Sequence, residues 1–255
     1  MNYIKKTWNA VDYQKNYSFV PMYGEDMLGM LDVKEGERIL DIGCGNGTLT
    51  KKIKDLGARV VGIDQSEEMI ELAKSNFKEI EFHQMNAETL NFKSEFDGIF
   101  SNAVFHWIKD QDALLTGIAD SLVTGGRLVC EFGGYGCAES VHRELKKAFE
   151  KRGLVYHKTF YFPTIGEYAP KMESHGLKVQ TALLFDRPTR VNGGEEGLKN
   201  WILMFIIQSF EGIEASLRDE IIAEAEKNLR DVLYKDGDWY IDYVRIRIKA
   251  VKEEM

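Results

Sequence analysis

Residues 39–47 read Ile39-Leu40-Asp41-Ile42-Gly43-Cys44-Gly45-Asn46-Gly47. The first four residues are apolar except for one aspartate, a pattern typical of a strand buried in a sheet. Three glycines at alternate positions let the chain turn sharply and let a ligand lie against bare backbone. Residues 48–56 then have helical apolar spacing, and the first N–H groups of such a helix would face the ligand. The alternative is a tight strand-to-helix turn that binds nothing.

Strand-like and helix-like segments alternate around this turn. Strands are predicted at residues 38–42, 59–64, 81–83, 96–101, 126–132, 177–185 and 239–248. Helices are predicted at 48–56, from Ser66 onward, after Asp110 and over 198–227. Such alternation indicates parallel βαβ units with right-handed crossovers. The predicted fold class is α/β, a Rossmann-like doubly wound sheet of seven mostly parallel strands.

Composition excludes several classes of protein. The 255 residues carry 33 Lys and Arg against 41 Asp and Glu, a net charge of −8. This balance argues against a nucleic-acid backbone as the main partner, because phosphate contacts need clustered cations. The three cysteines form no Cys-x-x-Cys pair, so neither zinc nor a disulfide framework is expected. The longest apolar run, residues 201–207, is too short to cross a membrane, and no signal peptide is visible, so we expect a cytoplasmic protein.

Three features of the turn indicate which ligand it binds. Position 48 is Thr, where a dinucleotide-binding fingerprint requires glycine. Asp41 lies within an apolar strand and needs a partner, which a cationic amino group would provide. Asp64 ends the second strand, 64 − 47 = 17 positions after Gly47, where a carboxylate accepts hydrogen bonds from a ribose diol. A ribose, a cationic amine and no pyrophosphate favour S-adenosylmethionine over NAD.

Together with Asn86-Ala87-Glu88 and Gly125-Gly126-Arg127, these motifs resemble a class I S-adenosylmethionine-dependent methyltransferase over about residues 35–135. The run from Ser101 to Trp107 resembles, more narrowly, the trans-aconitate and malonyl-carrier-protein methyltransferase branch. The resemblance implies S-adenosylmethionine as cofactor and a small-molecule acceptor, with O-methylation of a carboxylate favoured. Methylation of nitrogen, carbon or a hydroxyl group, an NAD-dependent oxidoreductase and a non-catalytic nucleotide-binding regulator remain as alternatives.

The resemblance also implies roles for individual residues. The implied cofactor-binding residues are Tyr13, Asp41, Gly43, Gly45, Gly47, Asp64, Gln65, Met69, Asn86, Ala87 and Ser101. The candidate substrate-binding residues are Tyr17, Trp107, Tyr135 and Trp201. His106 is the catalytic candidate, either as a base or as a hydrogen-bond donor to the substrate. Several of these residues have a packing role as the alternative: Met69 and Trp201 in the core, His106 beside Trp107, and Tyr13 and Tyr17 on a docked helix. No metal ion is expected.

We expect the chain to have four segments. Residues 1–34 form an N-terminal helical cap segment, and residues 35–189 form the cofactor-binding core. Residues 190–236 form a helical insertion that acts as a lid, and residues 237–255 return to the core as its closing strand. No nucleic acid and no membrane is expected as a partner.

Overall fold

The computed structural model describes residues 26–254, whose strands form one mostly parallel sheet. Its strand order is β3-β2-β1-β4-β5-β8-β6, with β7 paired to β8. Strands β1 to β5 pair in parallel, whereas β8 pairs antiparallel with both β5 and β7. The strands are β1 Arg38–Ile42, β2 Arg59–Asp64, β3 Glu81–Gln84, β4 Phe96–Asn102, β5 Leu122–Gly133, β6 Leu177–Val191, β7 Tyr234–Lys235 and β8 Asp238–Lys252.

Helices connect these strands. Residues 26–31 are helical and are called α1. The other α-helices are α2 Thr48–Asp55, α3 Glu67–Asn76, α4 Gln111–Ser121, α5 Glu139–Glu150, α6 Ile165–Ser174, α7 Gly197–Phe205 and α8 Ala215–Leu233. Short 3-10 helices cover Ala87–Thr89, Phe105–Trp107, Gly194–Glu196 and Ile207–Phe210. Within residues 26–254, no helix is long and apolar enough to cross a membrane.

The chain divides into two compact units. One unit contains residues 26–135, 161–185 and 245–254 of the described chain, and the other contains residues 136–160 and 186–244. The first unit holds β1 to β5 and the glycine turn. The second holds α5, α7 and α8.

Adjacent strand residues in the first unit pack into cores on opposite faces of the sheet, because side chains alternate along a strand. Ile39 packs with α1 and α2, in a cluster that includes Leu31 and Ile53. Its neighbour Leu40 packs with α4, in a cluster that includes Leu115 and Ile118. Helices therefore cover both faces, and the predicted doubly wound α/β sheet is confirmed.

An arginine at the amino ends of the strands is fully engaged in structure. Arg127 donates hydrogen bonds to the backbone carbonyls of Leu31, Asp32 and Asp97 and to the carboxylate of Glu37. This set ties α1 to the start of the sheet.

The second unit is built largely on contacts between α5 and α8. Glu224 of α8 accepts hydrogen bonds from Lys151 and Arg152, each 2.8 Å long. The ring of Phe149 lies 5.1 Å from that of Phe210. Burial lowers the pKa of His142 to about 3, so this histidine is neutral in the folded unit.

Two details differ from the sequence-based expectations. The two-residue strand β7 adds an eighth strand beside the seven predicted. The helix predicted over residues 198–227 is two helices, separated by a 3-10 turn and by residues 211–214. The backbone of Gly212 has a φ of 78°, which a helix does not accommodate, and this explains the interruption.

Replacement of Gly43 by alanine tests how tightly the glycine turn is packed. The φ of Gly43 is +73°, and a Cβ there would overlap Cγ2 of Val104. The matched control is Gly36→Ala, because Gly36 has a φ of +81° with nothing within 4 Å of its Cβ position. We expect Gly36→Ala to cost only the left-handed backbone strain, about 1–2 kcal/mol of unfolding free energy, and Gly43→Ala to cost clearly more. If urea unfolding gives the two variants equal losses of unfolding free energy, the close contact between Gly43 and Val104 is contradicted.

Candidate functional site

The three glycines of the turn all have left-handed backbone. Their φ angles are +73° at Gly43, +53° at Gly45 and +82° at Gly47. Among residues 26–254, nothing lies within 4 Å of the Cβ position of Gly45, so this part of the chain leaves open space on this side of the turn. The turn therefore needs glycine for its conformation and presents bare backbone to that space.

The backbone amides of the turn are used inside the protein. Gly43 and Cys44 both donate to the carbonyl oxygen of Ile63, at 2.7 and 2.9 Å. Gly45 donates to Oδ2 of Asp64 at 3.0 Å. Two further amides, those of Gly47 and Thr48, donate to the carbonyl of Cys44 and to Oδ1 of Asn46. A pyrophosphate site requires N–H groups directed at the ligand, and these five amides are already engaged.

Asp41 is a buried carboxylate at the end of β1, with 2% of its surface exposed. Its Oδ2 accepts a hydrogen bond from Oγ1 of Thr50, 2.7 Å away on α2. Burial raises the pKa of Asp41 to about 7, and the nearby charge of Asp64 adds to the rise. A cationic group beside Asp41 would favour the ionised form, so this carboxylate suits an amine.

Asp64 ends β2 and accepts a hydrogen bond on each of its oxygens. Oδ1 accepts from the amide of Ser66 at 2.8 Å, and Oδ2 accepts from that of Gly45 at 3.0 Å. Burial raises the pKa of this carboxyl, while these backbone hydrogen bonds oppose the rise. Because a carboxylate has about four lone-pair sites, two acceptor positions remain for a ligand diol.

The loop after β3 holds Asn86 and Ala87. Oδ1 of Asn86 accepts from the amide of Glu88 at 3.0 Å and so caps the short 3-10 helix. Ala87 is buried in the core that contains α4. Gln65 is exposed, and Met69 on α3 is buried.

The end of β4 lies beside the glycine turn. Oγ of Ser101 donates to the carbonyl of Ile42 at 2.8 Å, which joins β4 to the end of β1. The next turn contains Ala103 with a φ of +62° and brings Val104 against Gly43. The structure therefore brings Asp41, the glycines, Asp64 and Ser101 together at the carboxyl ends of three strands.

His106 is buried, and one hydrogen bond identifies the tautomer of its neutral imidazole. The backbone amide of Gly133, on β5, donates to Nδ1 of His106 at 3.2 Å. Because Nδ1 accepts this bond, neutral His106 carries its proton on Nε2. The rings of Trp107 and Phe162 lie 5.4 and 5.8 Å from the imidazole.

The other predicted residues are Tyr135, Trp201, Tyr13 and Tyr17. Tyr135 is 65% exposed. Trp201 is buried in the other unit, where its indole N–H donates to Oη of Tyr243 at 2.6 Å. Tyr13 and Tyr17 lie outside the described residues.

Sequence reasoning missed the roles of three groups: the Thr50 hydroxyl, the Val104 side chain and the amide of Gly133, a residue that it had placed at the end of β5. Thr50 had a weak signal, as a small polar residue on the apolar side of α2. The other two act through long-range packing and had none. Within residues 26–254, no group of three or more His, Cys, Asp or Glu side chains could hold a metal ion.

The geometry fits S-adenosylmethionine better than a dinucleotide. A buried carboxylate suits a cationic amine, a second carboxylate retains acceptor positions for a diol, and the amides of the turn are engaged. The comparisons with known proteins agree with this interpretation. Residues 40–130 match the family model described as a methyltransferase domain.

Relatives of the chain are methyltransferases. The chain is 31% identical to an uncharacterised methyltransferase of Schizosaccharomyces pombe, over 96% of this chain and 98% of the relative. It is 27% identical to a malonyl-[acyl-carrier protein] O-methyltransferase of Bacillus cereus, over 59% of this chain and 60% of the relative. It is 30% identical to a trans-aconitate 2-methyltransferase of Azoarcus, over 49% of this chain and 50% of the relative. The chain thus matches only about half to three fifths of the last two.

A solved structure confirms the fold. Phosphoethanolamine N-methyltransferase 2 of Haemonchus contortus, in complex with S-adenosyl-L-methionine, superposes with a TM-score of 0.57 at 19% identity. The match covers 99% of this chain and 61% of that one. The family match and the near full-length relative lead to one conclusion: the chain belongs to the class I S-adenosylmethionine-dependent methyltransferases.

Proposed function

We propose that Asp41, Asp64 and the glycine turn hold the cofactor, and that the acceptor is a small-molecule carboxylate, methylated on oxygen. Bound S-adenosylmethionine supplies an electrophilic methyl group on a sulfonium, which leaves a neutral thioether after transfer. The protein's own residues need only bind, align and partly desolvate the reactants.

Asp41 accepts from the cofactor's amino group in this proposal, and Asp64 accepts from the ribose hydroxyls. The support is the buried, raised-pKa carboxylate of Asp41 and the remaining acceptor capacity of Asp64. The open space at Gly45 leaves room for the methionine part. The other proposed cofactor contacts are Tyr13, Gly43, Gly47, Gln65, Met69, Asn86, Ala87 and Ser101.

The tautomer of His106 carries the proposal of a carboxylate acceptor. With Nδ1 accepting from Gly133, the imidazole presents Nε2–H, a donor. A donor orients an ionised carboxylate, which needs no base at neutral pH. A phenol, hydroxyl or amine acceptor often does need a base. The names of two relatives, a malonyl-carrier-protein O-methyltransferase and a trans-aconitate 2-methyltransferase, point to acids as well.

Several sequence-based expectations remain predictions. Tyr17, Trp107, Tyr135 and Trp201 are predicted to contact the substrate. Residues 190–236 are predicted to act as a lid and residues 1–34 as a cap. Nucleic acid is not expected as a partner, and the expected location is cytoplasmic.

The Asp41→Asn variant tests the buried carboxylate. Since the pKa of Asp41 is raised to about 7 in the folded state, the folded protein keeps this proton between pH 4 and 7 while the unfolded chain loses it. This group therefore lowers stability as pH rises through that window, by up to about 4 kcal/mol, and its effect is constant above pH 7. We expect Asp41→Asn, without cofactor, to gain stability over wild type from pH 4 to pH 7, and to bind S-adenosylmethionine more weakly at pH 8.

Thermal melts at several pH values and calorimetric titration measure both effects. If the variant is less stable than wild type at pH 8, burial of the ionised Asp41 carboxylate does not destabilise the protein, and this prediction is wrong. Unchanged affinity would refute the contact with the amine.

The Asp64→Ala variant tests the ribose contact, and Ser66→Ala is its matched control. Asp64→Ala removes an acceptor from the ligand and leaves the amides of Gly45 and Ser66 without their partner. We expect it to lose both stability and affinity, with S-adenosylmethionine and S-adenosylhomocysteine each weakened roughly 10–150-fold. Ser66→Ala removes only the N-cap bond to Met69. It should cost about 1 kcal/mol of stability and leave the affinity intact. Equal affinities of the two variants would argue that Asp64 only supports the turn.

His106 distinguishes positioning from base catalysis. We expect His106→Ala to lower kcat/KM with carboxylic acids by less than about 100-fold, and His106→Gln, which retains an N–H donor, to lose less. Rates of S-adenosylhomocysteine formation over a panel of carboxylic acids, phenols and amines measure this. A larger loss that raised pH restores, or turnover with phenols or amines alone, would overturn the proposed acceptor.

A further inference from the structure

A buried ion pair joins β5 to β8 in the unit that contains the glycine turn. Arg247 lies opposite Glu131 in the antiparallel register, and its Nε donates to Oε2 of Glu131 at 2.7 Å. The Glu131 side chain is 1% exposed and that of Arg247 is 12% exposed. The Arg247 guanidinium also lies 5.4 Å from the ring centroid of Phe185.

This pair lies toward the carboxyl ends of the parallel strands, where ligands of such sheets bind. Glu131 is two residues past Val129 on β5, and so on the same face of the sheet. Gly133, whose amide bonds to His106, is two residues further along, roughly 7 Å from Glu131. Asn102 lies opposite Glu131 on β4, and Ala103 donates to the carbonyl of Glu131 at 2.7 Å.

Asp41 lies on the same face of the sheet as Glu131. Its register partner on β4 is Phe100, and Phe100 packs with Val129, which shares that face with Glu131. Three strand spacings, about 14 Å, separate the strands of Asp41 and Arg247. The site proposed for the cofactor's amine and the Arg247 guanidinium therefore lie at one edge, with β4 and β5 between them.

Arg247 differs from Arg127 in how its donors are used. All three nitrogens of the Arg127 guanidinium donate to protein oxygens at the amino ends of the strands. Arg247 donates only through Nε, and within residues 26–254 its two Nη atoms have no hydrogen-bond partner. A buried ion pair gives little net stability compared with apolar side chains of the same volume. The guanidinium has a planar pair of donors that suits a carboxylate.

We propose that Arg247 binds a carboxylate of the acceptor other than the one that is methylated, and that Glu131 is a positioning residue that orients the guanidinium. The inference rests on the proposed function. A carboxylate held by a guanidinium is a weaker nucleophile, because the cation withdraws charge from its oxygens. The reacting carboxylate must therefore be a second one, so the preferred substrates are dicarboxylic acids.

The test compares matched mono- and dicarboxylic acids, namely pentanoate with glutarate and hexanoate with adipate. Turnover is measured as S-adenosylhomocysteine formation, and binding as calorimetric affinity in the presence of S-adenosylhomocysteine, which requires no reaction. We expect wild type to bind and to turn over the diacids preferentially. Arg247→Lys should raise the diacid KM roughly 10-fold, with kcat changed less and the monoacid KM unchanged.

A neutral side chain at position 247 alone would leave the Glu131 carboxylate buried without this cation. A paired variant therefore carries Arg247→Gln and Glu131→Gln together. We expect this paired variant to fold and to bind diacids about 10–100-fold more weakly than wild type does, so that the preference for diacids over monoacids is lost. Glu131→Gln alone should raise the diacid KM while the monoacid KM stays unchanged. Lys249→Met is the matched control, two residues along β8 on the same face and opposite Val129, and it should keep the preference.

An unchanged ratio of diacid to monoacid affinity in folded Arg247→Lys and paired variants would overturn the inference. Absence of diacid binding to wild type would overturn it as well. If wild type binds diacids through Arg247 but methylates no acid, the contact between Arg247 and a carboxylate stands, whereas the proposed carboxylate methylation and the assignment of a second, reacting carboxylate fail.

Discussion

The hydrogen bonds that join the glycine turn to the end of β2 are the constraint on which the site depends. Two turn amides donate to the carbonyl of Ile63, and a third donates to Asp64. These bonds fix the turn beside β2 and, within residues 26–254, leave Gly45 facing open space. They also decide the chemistry of the ligand, because amides that are engaged in the protein cannot bind phosphates. In the proposed function, recognition passes instead to two carboxylates, the buried Asp41 for positive charge and the half-buried Asp64 for hydroxyl groups.

The parts of the site that lie within one βα unit could be predicted from the sequence. The glycine spacing, Asp41 inside an apolar strand and Asp64 at the end of the next strand are all local signals. The structure adds what depends on partners far apart in the chain. No sequence pattern shows that Gly133 donates to His106 or that Asp64 also bonds to the turn. The break between α7 and α8 was not predicted, although Gly212, whose φ of 78° no helix accommodates, is a local signal for it.

In the function and the acceptor contact proposed above, cofactor and acceptor recognition draw on different parts of the chain. The family model matches residues 40–130, which include both carboxylates and the turn. Arg247 lies outside that range, and the matches to the two relatives that are named for their acceptors cover about half to three fifths of this chain. Under these proposals, a shared cofactor site leaves the acceptor free to differ between relatives, and the position of Arg247 on β8 is one at which such a difference would act.

All three cysteines are buried, at three separate places. Cys44 lies in the glycine turn, Cys130 on β5 and Cys137 just before α5. Burial raises the pKa of both the Cys44 and the Cys130 thiols, so little thiolate forms at neutral pH. Since the thiolate is the reactive form, alkylating reagents should modify these positions only when the surrounding structure opens. Labelling rates resolved by mass spectrometry would then report separately on opening at the cofactor turn, in the sheet and in the second unit, without any added probe.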